Sequence, residues 1–207
     1  MEKNKTLKNF WEQCHNGLVQ INLSDKNKKI LIDRFNHYVL PRVDLHHKSI
    51  IDYGVGGGYF GELILNTFNI KKYNGIDISE RSIKNAEEKI KKYKDIISFD
   101  LVPDSFKHYN ADVFFCFACI QHFITKEYLD DFLNKVNTSN IPEIFLQIRV
   151  SKNPKFLNSL NKNENLVYYG CTLPYTYIVT ELNNYDLDYK SNIINKGNYQ
   201  YLKFLKR

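Results

Sequence analysis

The sequence lacks any apolar run that approaches the roughly 18 consecutive residues of a membrane-spanning helix. Its opening stretch, MEKNKTLKNFWEQ, is too polar to hold the apolar core of a secretion signal. We therefore expect a cytoplasmic protein that has no membrane partner.

Cysteine is also scarce, with four residues at positions 14, 116, 119 and 171. In a chain without an export signal, these thiols are expected to stay reduced and not to form a disulfide framework. Cys116 and Cys119 form a C-x-x-C pair, but a zinc site would need a second pair or suitably spaced histidines. Because the pair lies in an apolar run, we interpret it as structural; a redox or metal role is the alternative. We predict no bound metal.

The composition is that of a folded globular chain. Hydrophobic residues make up 43% and charged residues 25% of 207 residues, which excludes collagen, a coiled coil and a disordered tail. This length predicts a single domain over 1–207, with a helical N-terminal cap at 1–48 and a core at 49–207. The net charge of +6 permits an anionic substrate or a nucleic acid without requiring either, since the lysines are scattered along the chain.

Two kinds of segment alternate along the core, as in βαβ folds with a mostly parallel sheet. Short apolar runs that end in turn residues predict strands, and apolar residues at helical spacing predict helices. The predicted strands are 49–53, 72–78, 96–101, 111–118 and 142–150, and the predicted helices are 59–68, 80–93 and 126–136.

The C-terminal third breaks this alternation. The Asn- and Lys-rich stretch Ser151 to Asn165 predicts a loop with at most one helical turn, a candidate mobile lid. Strands at 185–194 and 199–205 flank the short turn at 195–198, which predicts a hairpin and therefore one antiparallel edge of the sheet.

The sharpest local signal is IIDYGVGGGYFG, in which Asp52, Gly54, Gly56 and Gly58 follow a strand and precede a helix. Glycines let the chain turn tightly and let a ligand approach the backbone, and the helix start presents free N–H groups. The same loop fits G-x-G-x-x-G from Gly56, so a dinucleotide-binding fold is an alternative.

Two more acids follow the next two strands. Asp77 ends the second strand, where a carboxylate can accept both hydroxyls of a ribose. Asp100 follows the third strand, placed to accept from an adenine amino group, with the N–H of Leu101 available to a ring nitrogen. With the glycine loop, these residues predict an adenosine site at the carboxyl ends of the strands.

These motifs, in this order, resemble the class I S-adenosylmethionine-dependent methyltransferases from Ser49 to the terminal hairpin. The resemblance implies a Rossmann-like three-layer αβα sandwich with a seven-stranded sheet in the order 3-2-1-4-5-7-6. The C-terminal hairpin suits the reversed seventh strand, whereas an NAD-binding domain would have a further parallel strand and would not require Asp52. S-adenosylmethionine is the implied cofactor.

The resemblance also implies roles for individual residues. Asp52 would organise the site near the methionine ammonium, Ile78 would pack on the adenine unless it is an ordinary core residue, and aromatic side chains would wall the sulfonium. Further cofactor contacts are implied for Gly54, Gly56, Cys116 and Phe117, and candidate walls are Tyr53, Tyr59, Phe10 and Trp11.

Three features after the fourth and fifth strands concern the acceptor. His122 is a candidate general base for a hydroxyl, or a histidine that only packs or caps a helix. Arg149, at the end of the fifth strand, would hold a carboxylate or phosphate, or form a surface ion pair. Tyr168 and Tyr169 are candidate walls of the acceptor pocket.

The absence of certain motifs narrows the range of possible methyl acceptors. FCFA replaces the Asn-Pro-Pro-Tyr or Asp-Pro-Pro-Tyr of enzymes that methylate DNA bases, and the aspartate of metal-dependent catechol enzymes is absent. The resemblance therefore favours O-methylation of a small polar or anionic metabolite, such as a sugar, a sugar phosphate or a bacterial surface-glycan precursor, by a monomer or homodimer. The alternatives are an RNA methyltransferase, which basic charge alone supports, and an inactive cofactor-binding partner subunit.

Overall fold

The computed structural model describes residues 8–9, 11–12, 25–161, 166–194 and 198–207. Two compact units divide the described chain, one at 8–101 and the other at 102–207. Within the described residues, no helix is both long and apolar enough to cross a membrane. Two residues named above, Phe10 and Cys14, lie outside the described part.

The 8–101 unit carries the first three strands. Its strands are β1 (Ser49–Tyr53), β2 (Lys72–Asp77) and β3 (Ile97–Leu101), and its helices are α1 (Asp25–Arg34), α2 (Tyr59–Thr67) and α3 (Glu80–Ile90). β2 pairs in parallel with β1 on one side and with β3 on the other. A π turn at 35–39 and a 3-10 turn at 40–42 continue α1.

The burial of β1 and the cap of α3 show why these residues form a strand and a helix. Every residue of β1 is buried, as expected for a strand that is covered on both faces. Ser79 caps α3 by accepting a hydrogen bond from the N–H of Ser82 at 3.1 Å, and α3 packs against α2, β2 and β3. The strand–loop–helix order therefore sets the glycine loop at the carboxyl end of β1.

The 102–207 unit carries the remaining strands. Its strands are β4 (Val113–Cys116), β5 (Glu143–Arg149), β6 (Lys155–Asn161), β7 (Leu166–Thr172), β8 (Tyr185–Lys190) and β9 (Tyr199–Lys206), and its helices are α4 (Lys126–Asn137) and α5 (Tyr175–Glu181). β4 and β5 are parallel, whereas β9 runs antiparallel to both β5 and β8. The predicted C-terminal hairpin is thus confirmed; its turn residues 195–197 lie outside the described part.

The strands of the seven-stranded sheet follow the order β3-β2-β1-β4-β5-β9-β8. Because β6 and β7 form a separate two-stranded sheet, β8 and β9 take the sixth and seventh places of the predicted order 3-2-1-4-5-7-6. The predicted α/β, Rossmann-like class with one reversed strand is therefore confirmed.

The predicted loop at Ser151 to Asn165 is wrong at 155–161, and its residues 162–165 lie outside the described part. β6 occupies 155–161 and pairs antiparallel with β7 at every position from Lys155↔Thr172 to Asn161↔Leu166. The Asn and Lys residues of this segment are typical of loops, so the sequence did not indicate a strand. The strand forms nonetheless, because pairing with β7 satisfies its backbone hydrogen bonds whatever its side chains are. β7 packs against the 3-10 turn at 120–122, so the pair formed by β6 and β7 lies over that turn.

Candidate active site

The glycine loop adopts a backbone that only glycine tolerates well. Gly54, Gly56 and Gly58 have φ values of 81°, 52° and 76°, in the left-handed region. The N–H groups of Gly54 and Val55 both donate to the carbonyl of Ile76, at 2.7 and 3.1 Å. The loop is therefore tied to β2 as it leaves β1.

The loop glycines differ in what surrounds them. A Cβ on Gly56 would meet only the carbonyl oxygen of Gly54 at 3.9 Å, so open space lies beside it. A Cβ on Gly58 would come within 2.9 Å of the Cα of Ala86, so Gly58 lets α2 pack against α3. Of these two predicted cofactor residues, only Gly56 borders room for a ligand.

Asp77 holds the loop in this position. It is 8% exposed; its Oδ2 accepts from the N–H of Gly56 at 2.9 Å, and its Oδ1 accepts from the N–H of Ser79 at 3.0 Å. A carboxylate only accepts hydrogen bonds, which suits the hydroxyls of a ribose. The structure thus brings Gly56 and Asp77 together, as the motif order predicts.

Asp52 has a partner that the sequence does not reveal. The Tyr73 hydroxyl donates to its Oδ2 at 2.5 Å, and the carboxyl is 2% exposed. Burial raises the pKa of Asp52 to about 7; the hydrogen bond from Tyr73 lowers this pKa and the charge of Asp77 raises it. Gly61 makes room for the hydroxyl, because a Cβ there would overlap the Tyr73 ring.

Side chains of β2 and β3 lie where the sequence predicts the adenine side of the site. Asp100 is exposed and accepts from the Nδ2 of Asn74 at 3.0 Å, while the Ser98 hydroxyl donates to the Oδ1 of Asn74 at 3.1 Å. Ile78 is half-buried, and Leu101 keeps 45% of its surface exposed. An acid and two accessible apolar side chains thus lie at this edge; the positioning role of Asn74 was not predicted.

The predicted aromatic walls lie in different environments. Tyr53 is buried, whereas Trp11 and Tyr59 are half-buried. The Nζ of Lys89 lies 3.9 Å from the centroid of the Tyr59 ring. Beside Trp11, the carboxylate of Glu12 accepts from the N–H of Glu80 at 2.7 Å, which joins this N-terminal stretch to the start of α3.

The chain leaves β4 through a strained turn. Cys116 and Phe117 are buried, and the Phe117 ring packs edge-on against Tyr201 with centroids 5.8 Å apart. Ala118 has a φ of 51°, unusual for a residue with a Cβ, and its N–H donates to the Oε1 of Gln147 at 2.9 Å. The backbone after Phe117 is therefore fixed, as expected at a functional turn.

His122 ends the 3-10 turn that follows. It is half-buried, and its N–H donates to the carbonyl of Cys119 at 2.9 Å. The preceding Gln121 is 4% exposed, and its Oε1 has no hydrogen-bond partner within the described residues. A buried acceptor without a donor is costly, so Gln121 is a candidate acceptor-binding residue that the sequence did not suggest.

Arg149 contacts a tyrosine, and among the described residues it forms no ion pair. Its Nη2 donates to the Tyr199 hydroxyl at 3.0 Å, and its Nε is buried without a hydrogen-bond partner among the described residues. No carboxylate in the described chain lies within ion-pair distance of its guanidinium. Tyr168 and Tyr169 belong to β7, opposite Ser159 and Asn158, but their side chains lie outside the described part.

The described cysteines are free thiols. Cys116 and Cys171 are buried and Cys119 is half-buried. Burial raises the pKa of the Cys171 thiol to about 12, which keeps it protonated and unreactive. Across the described ranges, no group of three or more His, Cys, Asp or Glu side chains is arranged to hold a metal ion.

A glycine loop follows β1, one acid ends β2, another lies within β3, and β9 is reversed within this strand order. These are the features on which the resemblance to class I S-adenosylmethionine-dependent methyltransferases rests. Residues 50–139 match a family described as a methyltransferase domain. This match and the fold together support a class I S-adenosylmethionine-dependent methyltransferase. No curated protein sequence matches it.

Solved structures share this fold at low sequence identity. The PH0226 protein from Pyrococcus horikoshii is 15% identical with a TM-score of 0.71, over 90% of this chain and 94% of that one. Magnesium protoporphyrin IX methyltransferase from Synechocystis, with bound S-adenosylhomocysteine, is 13% identical with a TM-score of 0.73, over 98% and 99%. An S-adenosylmethionine-dependent methyltransferase from Mesorhizobium loti is 9% identical with a TM-score of 0.60, over 79% and 93%.

Proposed function

We propose that this methyltransferase transfers the methyl group to an oxygen of a small polar or anionic metabolite, such as a sugar, a sugar phosphate or a surface-glycan precursor. The observation that carries the proposal is the environment of Arg149. A partly buried guanidinium whose Nε has no acceptor among the described residues, and that no described carboxylate neutralises, is suited to binding an anion.

The residues of the 8–101 unit fit S-adenosylmethionine, which when bound supplies a methyl group activated by its sulfonium. The open space beside Gly56 admits a ligand, and the carboxylate of Asp77, held by two backbone N–H groups, is a hydrogen-bond acceptor that suits ribose hydroxyls. Asp100, held by Asn74, would accept from the adenine amino group, and the exposed Leu101 would contact the adenine ring. These residues bind and orient the cofactor.

The residues of the 102–207 unit would handle the acceptor. Arg149 would hold its anionic group, and the free Oε1 of Gln121 would accept from one of its hydroxyls. His122 would take the proton of the attacking hydroxyl, because an imidazole titrates in the range that suits a general base. The strained turn at Ala118 and the packing of β7 on the 120–122 turn would hold His122 in position.

The test is a methyl-transfer assay with labelled S-adenosylmethionine on a panel of neutral sugars, phosphorylated sugars and RNA. We expect transfer to a phosphorylated sugar, with the neutral sugar as a poorer acceptor. Arg149→Ala should raise KM for the phosphorylated acceptor by about tenfold or more, which corresponds to one lost charge-assisted hydrogen bond. Transfer to RNA alone would overturn the proposal.

His122 is tested on the same acceptor. His122→Ala should lower kcat by about a hundredfold or more and leave S-adenosylmethionine affinity unchanged, because a general base acts on the acceptor proton only. His108→Ala, at an exposed histidine of the same unit, is the matched control and should retain turnover. Unchanged turnover in His122→Ala would remove this residue as the base.

A further inference from the structure

An open cleft of about 500 Å³ lies at one edge of the 102–207 unit. β9 runs antiparallel to both β5 and β8, so the carboxyl ends of β5 and β8 meet the start of β9 at this edge. The residues that line the cleft include Val150, Pro174, Tyr175, Lys190, Ile193 and Gln200. Its volume is in the range of small-molecule sites.

Gln200 lines this cleft, and its buried amide has one oxygen without a partner among the described residues. It is 4% exposed, and its Nε2 donates to the carbonyl of Ser191 at 2.7 Å. This bond fixes the orientation of the amide, because exchanging O and N would set two carbonyl oxygens against each other. The Oε1 is buried and has no partner among the described residues, so a donor from a ligand would satisfy it.

Lys190 contributes a positive charge. Its Nζ lies 4.0 Å from the centroid of the Tyr175 ring, so the aromatic face holds the ammonium at the cleft wall. Within the described chain, no carboxylate lies within ion-pair distance of this ammonium. The charge is therefore available to an anionic group.

The remaining wall is partly apolar. Val150 and Pro174 line it, together with Ile193, which keeps 48% of its surface exposed. An apolar wall beside one fixed acceptor and one cation suits a compact carbon skeleton that carries a hydroxyl and an anionic group. Neither His122 nor Arg149 lines this cleft.

We propose that the cleft is a binding site for a small hydroxylated anion. A hydroxyl of the ligand donates to the Oε1 of Gln200, and its carboxylate or phosphate pairs with the ammonium of Lys190. The proposal is independent of the methyl acceptor described above, because it assigns a different set of residues and requires no methyl transfer.

Binding is tested by protein-observed NMR without S-adenosylmethionine. The probes are glucose 6-phosphate and gluconate, which carry both groups, with glucose and inorganic phosphate as single-group controls. We expect at least one hydroxylated anion to shift signals of the cleft residues and to bind about tenfold more tightly than either control.

Two variants and one control decide the assignment. Lys190→Gln and Gln200→Leu should each weaken the binding about tenfold, whereas Lys107→Gln, at an exposed lysine outside the cleft, should bind as wild type. Lys190→Gln is a surface change, so it decides the outcome even if Gln200→Leu fails to fold. The proposal is overturned if neither hydroxylated anion binds at about 10 mM, or if Lys190→Gln binds them as tightly as wild type.

Discussion

Replacing Asp52 by Asn removes a buried ionisable group from the 8–101 unit. The carboxyl is 2% exposed, and the Tyr73 hydroxyl is its donor at 2.5 Å. An Asn side chain keeps an oxygen that can accept from Tyr73, so the variant changes the charge and little of the shape. The effect of this substitution on stability should therefore depend on pH.

The expected magnitude follows from the raised pKa. Burial raises the pKa of Asp52 to about 7, whereas an unfolded Asp titrates near about 3.9. Between these values the folded state binds a proton that the unfolded state has released, so this group lowers stability as pH rises towards 7. The difference of about 3 pKa units corresponds to a contribution of about 4 kcal/mol to the free energy of unfolding. This contribution is present at low pH and is fully lost above a pH of about 7.

Urea denaturation from pH of about 5 to about 8 measures this effect. The wild-type free energy of unfolding should fall across this range relative to that of Asp52→Asn by about 2.7 kcal/mol, because only about two of the three pKa units lie above pH of about 5. Other titrating groups contribute to both proteins and cancel in the difference. Parallel stability profiles for the two proteins would refute the reasoning, because they would mean that Asp52 is already ionised at low pH in the folded state.

Cofactor binding provides a second measurement on the same pair of proteins. If the methionine ammonium binds near Asp52, it favours the carboxylate and expels the proton. With a pKa of about 7 in the free protein, S-adenosylmethionine affinity should then rise about tenfold from pH of about 6 to about 8 relative to Asp52→Asn. Titration of the cofactor's own amine cancels in this ratio, and a ratio that is independent of pH would contradict the assigned role.

Two further predictions concern the framework around the site. Gly61→Ala should destabilise the fold by about 1–3 kcal/mol, because its Cβ would overlap the Tyr73 ring. The control, Gly57→Ala, should be tolerated, because its Cβ would meet only the Tyr59 ring at 3.4 Å. Equal urea midpoints for the two variants would contradict this prediction. Thr125→Ala should cost about 1 kcal/mol in the same assay, because it removes the α4 cap that accepts from the N–H of Tyr128 at 3.2 Å, and an unchanged midpoint would contradict that role.

Local patterns in the sequence predict much of the sheet and the cofactor loop. β1 was predicted with its observed bounds, because a short apolar run that ends in glycine has few alternative structures. Asp77 could be placed for a related reason, since it ends a strand that follows the glycine loop in a βαβ unit. Both signals depend on residues that are close in the chain.

Contacts between distant residues could not be predicted in this way. Tyr73 reaches Asp52 only because β1 and β2 pair side by side, and the sequence shows Tyr73 as one more aromatic residue of a strand. The unpartnered oxygens of Gln121 and Gln200 are likewise visible only when every neighbour has been placed. β6 escaped prediction because its Asn and Lys residues are typical of loops.

Calorimetric titration with S-adenosylmethionine and S-adenosylhomocysteine tests most directly whether the loop and Asp77 form the cofactor site. NAD serves as the competing ligand, and Asp77→Ala is compared with Asp95→Ala, a change at an exposed aspartate of the same unit. We predict micromolar binding of the first two ligands, weakened at least about tenfold in Asp77→Ala and unchanged in Asp95→Ala. Preference for NAD, or wild-type affinity in Asp77→Ala, would contradict the account.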